Sequence, residues 1–185
     1  MEVRAWKGRE EAGDGIYLDC GDITRLDCQC IVNAANQSLL GGGGVDGAIH
    51  RAAGPRLLEE CRTLHGCKTG EAKITRGYQL SADYVIHTVG PVYSGKAKDR
   101  DDLRNCYWNS LELADKYRIR SIAFPAISTG VYGYPPEEAV WVAAETVLRW
   151  KAEHLESLMA VVFSCYDRET EALYRRTLTE LERIH

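Results

Sequence analysis

The sequence has little of what a protein needs to bind a long polyanion. It is 185 residues long and carries 23 Lys and Arg against 27 Asp and Glu, a formal net charge of −4. Binding to a nucleic-acid backbone depends on clustered basic side chains that release counterions. The charge balance therefore argues against a clamp on nucleic acid, but it stays compatible with a ligand that has one or two phosphates.

Long apolar segments and a disulfide pattern are missing as well. Residues 1–7 contain no apolar signal core, and no window approaches a membrane span of about 18 apolar residues. The seven cysteines are odd in number and irregularly spaced, which is untypical of a secreted disulfide framework. We therefore expect a monomer in the cytoplasm, with reduced thiols and no membrane contact.

Familiar metal and nucleophile motifs are also absent. No G-x-S-x-G sequence is present, and no Gly-Lys-Ser or Gly-Lys-Thr follows the glycine-rich stretch. Cys28 and Cys30 have no partner pair at zinc-finger spacing, and the set Cys61, His65 and Cys67 has no fourth ligand. His87 lies in an apolar run, which favours a hydrogen-bonded core histidine. We expect no metal and no cofactor.

Short apolar runs alternate with helical patterns along the chain. Runs of strand length occupy residues 16–18, 30–32, 73–75, 84–86, 121–124 and 158–163. Apolar residues at helical spacing begin at Leu103, at Val140 and at Tyr174. Residues 94–102 are expected to form a solvated loop, and Asp101 or Asp102 is a candidate cap of the helix that contains Leu103. Because the strands are apolar throughout, helices should cover both faces of their sheet. The pattern predicts one α/β domain over residues 1–185, a three-layer sandwich.

The most informative segment is the glycine-rich stretch at residues 32–50. Four successive glycines, from Gly41 to Gly44, remove every Cβ and let backbone N–H groups converge on an anion. A helix that begins right after them adds its positive dipole end. A diphosphate can be held in this way without Lys or Arg. The alternative is a flexible surface turn.

Polar residues around these glycines have two interpretations each. Asp46 is unexpected in an anion-binding loop, so it is a candidate base or a group that orients water or a sugar hydroxyl, but it can also cap the helix. Asn33 and Asn36 can bind sugar hydroxyls, or they can shape an Asx turn. Gly42, Gly44 and Gly47 match G-x-G-x-x-G only weakly, because the glycines do not directly follow a strand.

Three further strand ends carry polar or aromatic residues. After the run that ends at 124, the hydroxyls and N–H groups of Ser128 and its neighbours can form the opposite wall of a phosphate channel, with Tyr132 against a ribose. A buried Asp22 can accept a hydrogen bond from an exocyclic amine, and Tyr166 can stack on a base. Taken alone, the loop at Ser128 is equally well explained as a structural turn, whereas for Asp22 and Tyr166 a strand-end turn and a capping Asp167 are the better explanations. Ligands of open α/β sheets bind at such strand ends.

Five motifs in order resemble the macrodomain family, most closely its MacroD-type branch. They are GDIT at 21–24, VNAAN at 32–36, LGGGGVDGAIH at 40–50, YVIHTVGP at 84–91 and ISTGVYGYP at 127–135. The resemblance spans roughly residues 16 to 167. It implies a three-layer αβα sandwich around a central mixed, mostly parallel sheet, with a cleft for ADP-ribose.

The resemblance also assigns roles to individual residues. Asn36 and Asp46 match the catalytic residues of the family, and His50 would support Asp46. Adenine would lie at one end of the cleft and the diphosphate between two loops. The substrate-binding residues implied are Asp22, Ile23, Asn33, Gly42, Gly43, Gly44, Val45, Ser128, Thr129, Gly130, Val131, Tyr132 and Tyr166.

MacroD-type members remove ADP-ribose from acidic side chains and deacetylate O-acetyl-ADP-ribose. The resemblance therefore implies a hydrolase that acts on ester-linked ADP-ribose, with mono-ADP-ribosylated proteins as partners. Whether Asp46 or a substrate phosphate activates the water stays open. One alternative is a non-catalytic reader of ADP-ribose, which would need the glycines but not Asp46. A more distant one is a phosphatase or a dinucleotide oxidoreductase.

Overall fold

A computed structural model describes residues 11–184 of the chain. Its strands are β1 Glu11–Gly13, β2 Ile16–Cys20, β3 Cys30–Ala35, β4 Ala72–Arg76, β5 Tyr84–Val89, β6 Ser121–Phe124 and β7 Ala160–Cys165. Its α-helices are α1 Gly44–Ala53, α2 Pro55–Arg62, α3 Ala97–Lys116, α4 Pro136–Glu153 and α5 Arg168–Ile184, and a short 3-10 helix spans Ile23–Arg25. No helix within residues 11–184 is long and apolar enough to cross a membrane.

All the strands join one mixed sheet, in the order β1-β2-β7-β6-β3-β5-β4. The strands from β2 to β5 in this order are parallel to their neighbours, whereas β1 and β4 pair antiparallel at the two edges. The mostly parallel sheet is thereby confirmed. Because parallel strands end at the same edge, the loops after β2, β3, β5, β6 and β7 all begin at one side of the molecule.

Two separate cores lie on opposite faces of the sheet. Along β7, Val161 and Phe163 point into the core beneath α3, α4 and α5, while Val162 points into the core beneath α1 and α2. Alternate residues of a strand face opposite sides, so apolar residues at every position need helices on both faces. This arrangement confirms the three-layer αβα sandwich.

The start of α3 was predicted wrongly. The helix begins at Ala97, inside the segment expected to be a solvated loop, and neither Asp101 nor Asp102 caps it. Asp99 explains the difference, because its carboxylate accepts hydrogen bonds from Ser94 N at 2.7 Å and Gly95 N at 3.0 Å. These bonds tie the preceding turn to the first helical turn and lower the pKa of Asp99.

The short strand β1 was not predicted at all. It contributes only three residues, and its pairing with β2 is interrupted by an irregularity between Glu11 and Gly13. Such a short edge strand has no apolar run from which sequence reasoning can recognise it.

The β4–β5 connection offers a test of the packing. Gly77 N donates a hydrogen bond to Asp83 O at 2.8 Å, and a Cβ at position 77 would overlap the carbonyl oxygen of Ala82. We expect Gly77→Ala to lower the free energy of unfolding by about 1–3 kcal/mol, because backbone must move to make room. Urea unfolding measures this change.

Gly130→Ala is the matched control, since a Cβ there meets no atom within 4 Å and the backbone is not left-handed. Equal stability of the two variants would contradict the packing described for residues 77–83.

Candidate active site

A cleft of about 610 Å³ opens at the edge where the parallel strands end. Its walls come from the segments that follow β2, β3, β5, β6 and β7, together with the first turn of α1. Every residue assigned to the site from the sequence lines this cleft except Asn33. The structure thus brings these residues together, while their individual roles in binding stay predictions.

The glycine loop passes directly into α1. The helix begins at Gly44, and its N-cap is Gly43, which has no side chain to bond the free N–H groups of the first turn. Gly41 and Gly44 have φ values of +92° and +58°, a left-handed backbone that favours glycine. The N–H groups without a side-chain cap and the positive helix end make this loop suited to an anion, and binding of an anion there stays a prediction.

Gly47 allows the glycine loop to lie against α1. A Cβ at Gly47 would approach Gly42 O to 2.6 Å, so a larger residue would push the loop away from the helix. In the sequence, Gly47 stands out only as part of a weak glycine pattern, which does not reveal this role. Positions 42 and 47 come close together across the first turn of the helix. Residue spacing alone does not reveal this contact.

Asp46 is the buried charged residue of the cleft wall. It is the third residue of α1 and only 4% exposed, so the interpretation of Asp46 as the helix cap is wrong. Its Oδ1 accepts a hydrogen bond from Asn33 Nδ2 at 2.8 Å. Nε2 of His50, one turn further along the helix, lies 3.4 Å from the same oxygen without making a hydrogen bond.

Asn36 holds the turn before the glycines. Its Oδ1 accepts from Ser38 N at 3.2 Å and from Ser38 Oγ at 2.6 Å, and its Nδ2 donates to Gly41 O at 2.9 Å. The Asx-turn interpretation is therefore correct for Asn36, which also lines the cleft. A Cβ on Gly42 would lie 3.1 Å from Asp46 Oδ2 and 3.3 Å from Asn36 Nδ2. The two candidate catalytic side chains thus converge beside Gly42.

Asn33 does not reach the cleft. It belongs to β3, is fully buried, and points beneath α1 to Asp46 and to Nδ1 of His87, 3.1 Å away. Direct contact of Asn33 with a ligand is not supported by this position. Strand alternation turns the side chain of residue 33 towards the α1 layer, whereas residue 36 lies beyond the strand end.

Asp22 was expected to be buried and is exposed. Its Oδ1 accepts from Thr24 N at 2.9 Å and from Thr24 Oγ1 at 2.7 Å, which caps the 3-10 helix and lowers the pKa of Asp22. The neighbouring Ile23 is buried, and both residues line the cleft. Tyr166 lies on the same part of the wall with its side chain largely in solvent, 72% exposed.

The loop at 125–132 forms the facing wall. Ser128 is buried with φ +66°, and its Oγ has no hydrogen-bond partner among the described residues. Gly90, at the end of β5, touches this loop so closely that a Cβ would overlap Ser128 Oγ. Gly90 was missed as a cleft residue, although a glycine directly after an apolar strand signals such an approach.

Thiols and histidines do not form a metal site among residues 11–184. Burial raises the pKa of Cys61 and of Cys67 to about 11, so both are protonated thiols at neutral pH. His87 is the core histidine that was predicted. It is fully buried, and burial together with the charge of His50 lowers its pKa to about 3.

The depressed pKa of His87 makes stability depend on pH. An exposed histidine in the unfolded chain titrates near 6.5, so between about pH 6.5 and 3 the unfolded state binds more protons than the folded state. The free energy of unfolding should fall with decreasing pH in this window, by up to ~1.4 kcal/mol per pH unit from this group. We expect His87→Asn to reduce that slope, measured by urea unfolding at a series of pH values.

The test compares how steeply the free energy of unfolding changes with pH in the two proteins. Their absolute stabilities are not compared, because the substitution also changes packing. Identical slopes for the native protein and His87→Asn would contradict a neutral His87 in the folded state.

Comparisons with known proteins agree with this geometry. The family model for the Macro domain matches residues 32–143. A macro domain-containing protein of Ralstonia nicotianae is 58% identical over 160 residues, which cover 86% of this chain and 91% of the relative. Mouse ADP-ribose glycohydrolase MACROD1 is 50% identical over 180 residues, 96% of this chain but 56% of MACROD1, so the chain spans about half of that relative.

A solved structure shows the same fold with a ligand. The Trypanosoma brucei macrodomain in complex with ADP-ribose superposes with a TM-score of 0.87 and 45% sequence identity, over 92% of this chain and 75% of the trypanosomal one. Family model, sequence identity and structure agree: the chain belongs to the macrodomain family.

Proposed function

We propose that the protein binds ADP-ribose in this cleft and hydrolyses ester bonds between ADP-ribose and aspartate or glutamate side chains. We propose further that it deacetylates O-acetyl-ADP-ribose, which contains an ester of the same kind. The observation that carries the proposal is the Asp46 carboxylate, 4% exposed, which lies together with Asn36 beside Gly42 in the glycine loop. Mouse MACROD1, which is named an ADP-ribose glycohydrolase, is 50% identical to this chain over 180 residues.

The diphosphate would be held by neutral donors. Of the described residues that line the cleft, none is Lys or Arg. The N–H groups at the start of α1 and those of the loop at 125–132 therefore supply the attraction, together with the helix dipole. This explains how a chain with a net charge of −4 can bind a dianionic ligand.

The order of the strands separates the two ends of the cleft. Asp22 and Tyr166 follow β2 and β7, whereas Asn36 follows β3, and β6 lies between β7 and β3 in the sheet. Three steps between neighbouring strands amount to about 14 Å. Adenine would stack on Tyr166 at one end, and the distal ribose with its ester would lie at Asn36 and Asp46.

The chemistry at the distal end is hydrolysis of an ester. The oxygen of a water molecule forms a bond to the acyl carbon or to C1″ of the ribose, the ester C–O bond breaks, and the water proton passes to the leaving oxygen. Asp46 would orient the water or the adjacent ribose hydroxyl, and the Asn36 amide would donate to the ribose. Mono-ADP-ribosylated proteins would be the partners, encountered in the cytoplasm by a monomer.

Replacing Asp46 tests the catalytic assignment. Asp46→Asn keeps an oxygen for the Asn33 amide and removes the charge, so we expect turnover of glutamate-linked ADP-ribose to fall by roughly 100-fold or more. Affinity for free ADP-ribose should stay within about threefold, since this residue acts on the ester and not on the diphosphate. Single-turnover kinetics and calorimetry measure the two quantities.

Asn36→Ala should also lower turnover, but with weaker ADP-ribose binding, because Asn36 holds the Gly41 carbonyl. Full turnover in both variants would remove the catalytic assignment. Binding of ADP-ribose by the native protein without any hydrolysis would favour the reader function instead.

Tyr166 tests the position of adenine. Loss of base stacking should weaken ADP-ribose binding by roughly 10-fold in Tyr166→Ala. Tyr166→Phe keeps the ring and is the matched control, with an affinity close to that of the native protein. Calorimetric titration gives both dissociation constants, and unchanged affinity in Tyr166→Ala would place adenine elsewhere.

A further inference from the structure

A row of buried polar side chains runs behind the cleft, beneath α1. Thr75 on β4, His87 on β5 and Asn33 on β3 lie on three neighbouring strands and are 2%, 0% and 0% exposed. None of the three lines the cleft, but the row ends at Asp46, which does.

The direction of each hydrogen bond in the row follows from the chemistry of its ends. A carboxylate only accepts, so the Asn33 group 2.8 Å from Asp46 Oδ1 is the amide nitrogen. The second hydrogen of that nitrogen points to His87 Nδ1, 3.1 Å away, so Nδ1 is an acceptor. The imidazole proton is then on Nε2, which donates to Thr75 Oγ1 at 2.9 Å.

The reverse orientation of the amide is unfavourable. It would place Asn33 Oδ1 2.8 Å from a carboxylate oxygen, with no hydrogen between the two. The observed orientation has its own cost, since Asn33 Oδ1 is buried without a partner among the described residues. The neutral state of His87 is consistent with the observed arrangement, because burial lowers its pKa to about 3 and an imidazolium would direct an N–H at the Asn33 amide hydrogens.

We propose that Thr75 and His87 are positioning residues for Asp46. The Thr75 hydroxyl accepts from Nε2–H and so stabilises this form of His87, which leaves Nδ1 as an acceptor for the Asn33 amide that donates to Asp46 Oδ1. Oδ2 is thereby left on the side of Gly42 and Asn36, where the ester would bind. The proposal rests on the proposed function, since it concerns the residue assigned to act on substrate.

Loss of the Thr75 hydroxyl leaves Nε2–H without its acceptor, and this cost works against the observed direction of the row. Without an acceptor for Nε2–H, the proton can move to Nδ1 and pair with the unpartnered Asn33 Oδ1 once the amide turns. Cys61 Sγ lies 3.8 Å from His87 Nε2, and its protonated thiol can then donate to that nitrogen. Asp46 Oδ1 loses its donor in this arrangement, although no group near the substrate has been changed.

Two variants at position 75 separate positioning from packing. Thr75→Val keeps the shape and removes the hydroxyl, whereas Thr75→Ser keeps the hydroxyl and removes a methyl group. We expect Thr75→Val to lower kcat on glutamate-linked ADP-ribose by roughly 10-fold or more, with KM and ADP-ribose affinity unchanged. Thr75→Ser should retain nearly full kcat. A purely structural role predicts the opposite order, because the smaller Ser leaves a cavity in the core.

Nitrogen NMR on histidine-labelled protein reads the tautomer directly. In the native protein and in Thr75→Ser we expect His87 to show a protonated Nε2 and an unprotonated Nδ1, and in Thr75→Val a shift of the proton towards Nδ1. A protonated Nδ1 in the native protein would overturn the proposal, as would full kcat in Thr75→Val. An inactive native protein would contradict only the proposed function. The His87 tautomers of the three proteins would still decide whether the Thr75 hydroxyl determines which ring nitrogen carries the proton.

Discussion

The hydrogen bond from Asn33 to Asp46 joins the interior strand β3 to the helix that carries the glycine loop. A buried carboxylate is tolerated only where donors compensate for the lost water, so this bond restricts where α1 can lie. Once α1 is placed, Gly47 lets the loop at Gly42 rest on it, and Gly42 in turn lies beside both Asp46 and Asn36. The binding loop and the candidate catalytic groups are thus positioned by the same contact.

In the cleft, the groups suited to attract an anionic ligand lie apart from the carboxylate that is proposed to act on it. Backbone N–H groups and a helix end provide positive potential over the middle of the cleft, and no basic side chain among its described lining residues contributes. The negative carboxylate lies at one end, behind Gly42, where it is held by Asn33. In the proposed function, this separation would allow an acidic protein to bind an anionic nucleotide and still keep a carboxylate within reach of the ester.

Much of this could be predicted from the sequence, because it depends on local patterns. Apolar runs located six of the strands, and the four glycines before a helical segment located the loop proposed to bind an anion. Some errors concern local capping bonds that the apolar pattern does not show. The bonds of Asp99 to residues 94 and 95 move the start of α3, and Asp22 caps the 3-10 helix by accepting from Thr24. Other errors concern contacts between distant residues. The approach of Gly90 to Ser128 and the burial of Asn33 beneath α1 arise only when strands and helices pack.

The proposed function is hydrolysis of ester-linked ADP-ribose in this cleft. The most direct measurement is a mass-spectrometric time course in H₂¹⁸O with a glutamate-linked ADP-ribosyl peptide and, in parallel, a serine-linked one. The account predicts release of ADP-ribose and an unmodified glutamate from the first, with ¹⁸O in the carboxylate or in the ribose according to the carbon attacked, and no release from the second. Tight binding of ADP-ribose with the glutamate-linked peptide left intact would contradict it.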